Sequence, residues 1–121
     1  QYEIDEHGIV NGEMWGDKSG VYSPSITTRY YKLTFGSMAE NLTLDLINSY
    51  VWRDNSEVKD VNHPEFDKLN IAEDDIRKQI FACLDNQVVH VSYYGKEKIE
   101  DIIPLLAQKM IFYQERMAKA H

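Results

Sequence analysis

Four histidines, a single cysteine and the carboxylate pairs Asp74-Asp75 and Glu100-Asp101 are the side chains of this sequence that could do chemistry. His7, His63, His90 and His121 are far apart, with no His-x3-His or Cys-x2-Cys spacing, so no zinc site is expected. His90 stands in the run Val88-Val-His-Val-Ser-Tyr-Tyr94, on the same strand face as Val88, Ser92 and Tyr94. An imidazole there either hydrogen-bonds as part of that face or acts as a general base, and the first role is the expected one. Cys83 falls on an apolar stripe, where a thiol behaves as a small hydrophobe rather than a nucleophile. Asp74-Asp75 and Glu100-Asp101 could supply acid and base, but each pair lies at an expected helix start, where the helix dipole accounts for it.

No Gly-x-Ser-x-Gly, Walker or Gly-x-Gly-x-x-Gly pattern occurs, so nucleophile elbows and phosphate cradles have no support. Between Arg53 and Asp75 eight carboxylates face Arg53, Lys59 and Lys68, without the oxygen-ligand spacing and central glycine of a calcium loop. That run reads as a solvated acidic crossing. The sequence therefore points to a non-enzymatic chain with no cofactor and no metal.

Composition narrows the partners. A formal charge of −7 over 121 residues argues against nucleic acid, which is bound largely by Lys and Arg displacing counterions. An acidic surface favours a basic partner instead. One cysteine allows no internal disulfide, so a core must hold the fold. No stretch approaches eighteen consecutive apolar residues, and no transmembrane span is expected. The chain opens on Gln1 rather than Met; this favours a secreted or envelope-anchored protein, with a segment removed before Gln1, over a cytoplasmic one.

The elements that must position these groups follow from periodicity. The run 88–94, rich in β-branched and aromatic residues and stopped by Gly95, is the strongest strand signal and the expected centre of the fold. Residues 1–8 read as loose, 9–15 as a first strand and 16–25 as a loop. Residues 26–35 read as a long strand. Leu42-Thr-Leu-Asp-Leu46 alternates, so the turn at 36–41 predicts a hairpin with its Leu/Phe face buried. Asn70-Ile-Ala-Glu73 has the form of a capping box for a helix over 71–86, with Ile76, Ile80, Cys83 and Leu84 on one stripe. A terminal helix is capped at Asp101, places Pro104 in its first turn, and carries Ile102, Ile103, Leu106, Met110, Tyr113 and Met117 on one stripe, with Ile111 and Phe112 off it.

These elements predict a single α+β domain: a small twisted antiparallel sheet, or a partly open OB-like barrel, of about four to five strands, with one helix before and one after the last strand. The helix placed between the third and fourth strands resembles the OB-fold arrangement, although a terminal helix stands where that fold has its fifth strand.

Surplus aromatic side chains give the functional expectation. Trp15, Tyr22, Tyr30, Trp52 and Tyr94 fall on polar strand sides or in loops, and Tyr and Trp are enriched where proteins meet. Together with Asp74 and Asp75 they make a candidate surface for another protein, expected to be a basic one. The reading is a non-catalytic interaction domain. Its alternatives are a small acidic immunity or inhibitor protein that neutralises a basic toxin or nuclease, and a small ligand-binding barrel or enzyme that uses His90.

Overall fold

The computed structural model describes residues 3–13, 25–50, 58–73, 77–95 and 98–119. They build an α+β fold in which one antiparallel sheet of six strands carries a helix on each face. The strands are β1 (Ile4–Glu13), β2 (Ser25–Leu33), β3 (Val58–Asp60), β4 (Lys68–Glu73), β5 (Arg77–Leu84) and β6 (Gln87–Tyr94). A single 3-10 turn, Gly36–Met38, leads into α1 (Ala39–Tyr50), and α2 (Ile99–Lys119) follows β6. No helix among the described residues is long and apolar enough to cross a membrane.

The spatial order β1-β2-β6-β5-β4-β3 explains the route of the chain. After β2 the chain crosses one face as α1, starts again at the far edge as β3, and returns strand by strand until β6 closes against β2. Because side chains alternate along a strand, register decides which of them lie beneath which helix. Leu33, Ala72, Phe81, Cys83 and Val88 meet Ala39, Leu42 and Leu46 of α1. Leu69, Ile71, Ile80, Ala82, Val89, Val91 and Tyr93 meet Ile99, Ile102, Ile103, Leu106 and Met110 of α2. Both central strands are thus buried on both sides.

Several expectations are corrected by this topology. The run 42–46 is helix, not strand: the buried residues are Ala39, Leu42, Thr43 and Leu46, at spacings of three and four, while Leu44 turns to solvent at 46% exposure. Leu42 and Leu46 satisfy both periods, and the neighbours at 39 and 43 decide the matter. β2 accordingly pairs with β1 and β6 rather than with residues 42–46.

The helix expected over 71–86 is the β4–β5 hairpin. Asn70 lies buried in the middle of β4, opposite Phe81, and caps nothing. β5 is buried without interruption from Lys78 to Cys83, so the period-2 signature that would have marked it as a strand is absent. No helix therefore precedes the last strand directly. The sheet has six strands rather than four to five, and β1 and β3 are its open edges among the described residues, so of the two expected forms the antiparallel sheet is found and the OB-like barrel is not.

Ile4 to Gly8, expected to be loose, belong to β1. The terminal helix begins at Ile99, two residues before Asp101, and Pro104 sits in its second turn on the solvent side. Its missing amide withdraws one bond from the carbonyl of Glu100, at a place where water can serve that carbonyl instead. Ile111 is half-buried and Phe112 is 58% exposed, so the off-stripe pair does leave the main contact.

The β5–β6 turn is held from two sides. Asp85 adopts φ 52°, a left-handed conformation suited to a two-residue hairpin turn. Its amide donates to Asp67 Oδ2 at 2.7 Å, and the Asn86 side-chain amide donates to the Leu33 carbonyl at 2.8 Å. The hairpin that places His90 opposite Phe81 is therefore tied to both β2 and the β3–β4 connection.

Candidate functional site

One row of the register crosses the sheet beneath the C-terminal end of α1: Ile9, Arg29, His90, Phe81, Asn70 and Asp60, each the partner of the next. His90 is its centre. The imidazole lies between the rings of Phe81, 4.6 Å away at 15°, and Tyr50, 4.5 Å away at 27°. Tyr50 is the last residue of α1, so the helix end supplies the cover on one side of the ring. The Arg29 guanidinium lies 4.8 Å from the Tyr50 ring centre, within cation–π range.

His90 is 1% exposed, and its Nε2 lies 2.9 Å from Gln79 Oε1. Since Oε1 only accepts, Nε2 carries the proton and Nδ1 keeps its lone pair. Among the described residues that buried Nδ1 has no hydrogen-bond partner, and neither has Asn70 Oδ1 in the same row. Burial, aided by the nearby Arg29 charge, lowers the His90 pKa to about 4. At neutral pH this is an uncharged ring with covered faces. It fills space between aromatic neighbours and cannot reach a substrate as it stands.

Cys83 lies on the same face, as the burial expectation required, though on a strand rather than a helix. Burial raises its pKa to about 11; a Thr43 hydrogen bond opposes the shift, and the Asp67 and Glu40 carboxylates add to it. At pH 8 roughly one thiol in a thousand would be thiolate. An aromatic disulfide reagent should therefore label native protein no faster than the chain unfolds, and labelling in milliseconds without denaturant would contradict this placement.

A second locus lies where α1 begins. Glu40, Asp60, His63, Phe66, Asp67 and Lys68 line an open cleft of about 350 Å³. His63 is committed locally: its Nδ1 accepts from the Glu65 amide at 3.1 Å, and its ring tilts against Phe66. Among the described residues no three potential metal ligands come together. What the cleft offers is carboxylate beside one aromatic wall.

Of the expected contact residues, Trp15, Tyr22, Trp52, Asp74 and Asp75 lie outside the described residues. Tyr30 and Tyr94 lie on opposite faces, because Tyr30 pairs with Val89 while Tyr94 shares the parity of His90. Tyr30 is half-buried and packs on the α2 side, its ring lying across Gly8, where a Cβ would come within 2.6 Å of the phenol oxygen. Tyr94 is 48% exposed. These two tyrosines therefore do not share a patch.

Two groups escaped the sequence reading. Lys78, 7% exposed, donates to the Gly95 carbonyl at 3.1 Å with its ammonium 5.4 Å from the Tyr93 ring centre. Gln79 is buried as the partner of His90. Neither residue type signals burial in a sequence.

No family model matches the chain, and no curated protein or solved structure matches it.

Proposed function

We propose that this chain is a non-catalytic protein-interaction domain that meets a basic partner through acidic, partly apolar surface. The observation that carries the reading is the 1% exposure of His90 between two aromatic rings, which withdraws the one central imidazole from any substrate. Cys83 is withdrawn in the same way. At the surface, by contrast, Ile9, Phe35 and Phe112 are each more than half exposed, and the chain carries a net charge of −7. Tyr94, with Trp15, Tyr22, Trp52, Asp74 and Asp75, remains a candidate contact, and Tyr30 belongs to the opposite face.

Carbodiimide cross-linking tests this directly, because it joins carboxylates of this chain to lysines in contact with them. Adducts to a basic protein should form at low salt and fade as ionic strength rises above about 0.5 M, where screening shortens to a few ångströms. A chain that stays uncoupled at every salt concentration contradicts the proposal.

A second reading, an acidic immunity or inhibitor protein, draws on the cleft lined by Glu40, Asp60 and Asp67. A toxin or nuclease encoded beside this chain and silenced by it at equimolar ratio would support that version. Charge-matched docking of this kind is fast and salt-sensitive.

A further inference from the structure

The two open edges of the sheet differ. β3 ends one side with only three residues, a length that leaves little backbone to recruit. β1 ends the other with ten, about 34 Å of strand at ~3.4 Å per residue. Among the described residues β1 pairs only with β2, so the peptide groups that point away from β2 face outward. Its sequence contains neither proline nor lysine, and its one irregularity, a register shift between Ile4 and Glu6, leaves Glu6–Glu13 in continuous register with β2.

Along this edge Ile4 pairs with Leu33 and Ile9 with Arg29, which places both on the α1 side, at 39% and 61% exposure. His7 pairs with Tyr31 and stands exposed on the same α1 side, between the two isoleucines of that face. Glu6 pairs with Lys32 and lies on the opposite side, exposed. Glu3 and Asp5 add two more exposed carboxylates, and Asp5 accepts from the Thr34 hydroxyl at 2.6 Å. β1 brings no Lys or Arg of its own; the cation nearest in register is Lys32 of β2, opposite Glu6.

We propose that β1 is a strand-addition site, and that its occupant is an extended segment of another protein in which basic and apolar side chains alternate. Main-chain hydrogen bonds to the outer edge supply the attachment, and alternation supplies the fit. Apolar side chains of the added strand lie beside Ile4 and Ile9, and Lys or Arg lies beside Glu6. A second copy of this chain is the disfavoured occupant: it would bring another lysine-free acidic strand to within about 4.8 Å, between bodies of charge −7 each. The inference rests on the interaction-domain reading and specifies its geometry.

The test uses the whole chain and blocked decapeptides of alternating Lys and Val. Three forms are compared by calorimetry and by amide hydrogen exchange: unmodified, N-methylated at odd positions, and N-methylated at even positions. An added strand bonds through alternate amides, so one methylated form should lose binding about tenfold or more while the other keeps it. Exchange should slow at alternate residues of 4–13 and nowhere on β3. Glu3→Gln with Glu6→Gln should weaken the unmodified peptide several-fold without moving the melting temperature.

Equal binding by both methylated forms overturns strand addition while leaving an acidic docking surface in place. Binding by none of the three overturns the basic-strand occupant, and cross-linking to basic proteins then decides the broader reading separately. Concentration-dependent dimerisation with protection of 4–13 assigns the edge to a second copy and likewise overturns the proposal.

Discussion

Phe81→Ala is expected to lower the unfolding free energy by about 4 kcal/mol, within the range for removing a fully buried aromatic ring. Phe81 has no exposed surface, lies beneath α1 at the middle of β5, and stacks on His90 at 4.6 Å. Its loss removes the ring's own transfer free energy and leaves space between two helix-covered strands that cannot close without moving the hairpin. It also uncovers one face of His90, whose Nδ1 already lacks a partner among the described residues. Denaturant unfolding at pH 7 measures the effect as a fall in midpoint at constant slope. A loss below about 1.5 kcal/mol would mean that the layer relaxes freely and that the stack does not organise the face.

The second large effect is on acid stability. The folded His90 pKa of about 4 lies below the ordinary 6.5, so between those values the unfolded chain binds the extra proton and the folded chain does not. The contribution from a neutral His90 is therefore complete above pH 6.5 and is lost as pH falls toward 4. A shift of about 2.5 units corresponds to about 3 kcal/mol. His90→Leu should lose correspondingly less stability than the parent chain from pH 7 to pH 4, whatever its stability at pH 7. Parallel curves for the two proteins would show that the imidazole is protonated inside the fold or reaches water.

Signals carried by one-sided burial were legible in the sequence. The stripe at Ile102, Ile103, Leu106 and Met110 identified the terminal helix, while the strands at 4–13 and 25–33, the first exposed and the second half-buried on both faces, were readable only in part. The run around His90 was recognised by its β-branched and aromatic content, although it is buried on both faces. β5 was not: Ile80, Phe81, Ala82 and Cys83 are all buried, and an unbroken apolar run carries no period of its own. Ile80, Cys83 and Leu84 then fit a helical stripe by coincidence of spacing. α1 was missed for the converse reason, since Leu42, Leu44 and Leu46 alternate although only the outer two are buried.

For the site, the face of His90 was readable from strand parity. Its confinement was not, because Tyr50 and Gln79 come from other elements and nothing local announces them. The shared acidic and aromatic patch depended on which side each tyrosine faces, and the β2–β6 register sends Tyr30 and Tyr94 apart.

The junction between β2 and β6 joins positions 55 to 69 residues apart, from Lys32 with Gln87 to Ser25 with Tyr94. During translation the first hairpin and the first helix emerge well before the ribbon that unites them with the rest. Nascent chains stalled short of residue 94 consequently hold two incomplete halves, and such distant pairing makes for slow maturation and a need for protection against clumping. The interval ends only when the middle of the sheet leaves the ribosome.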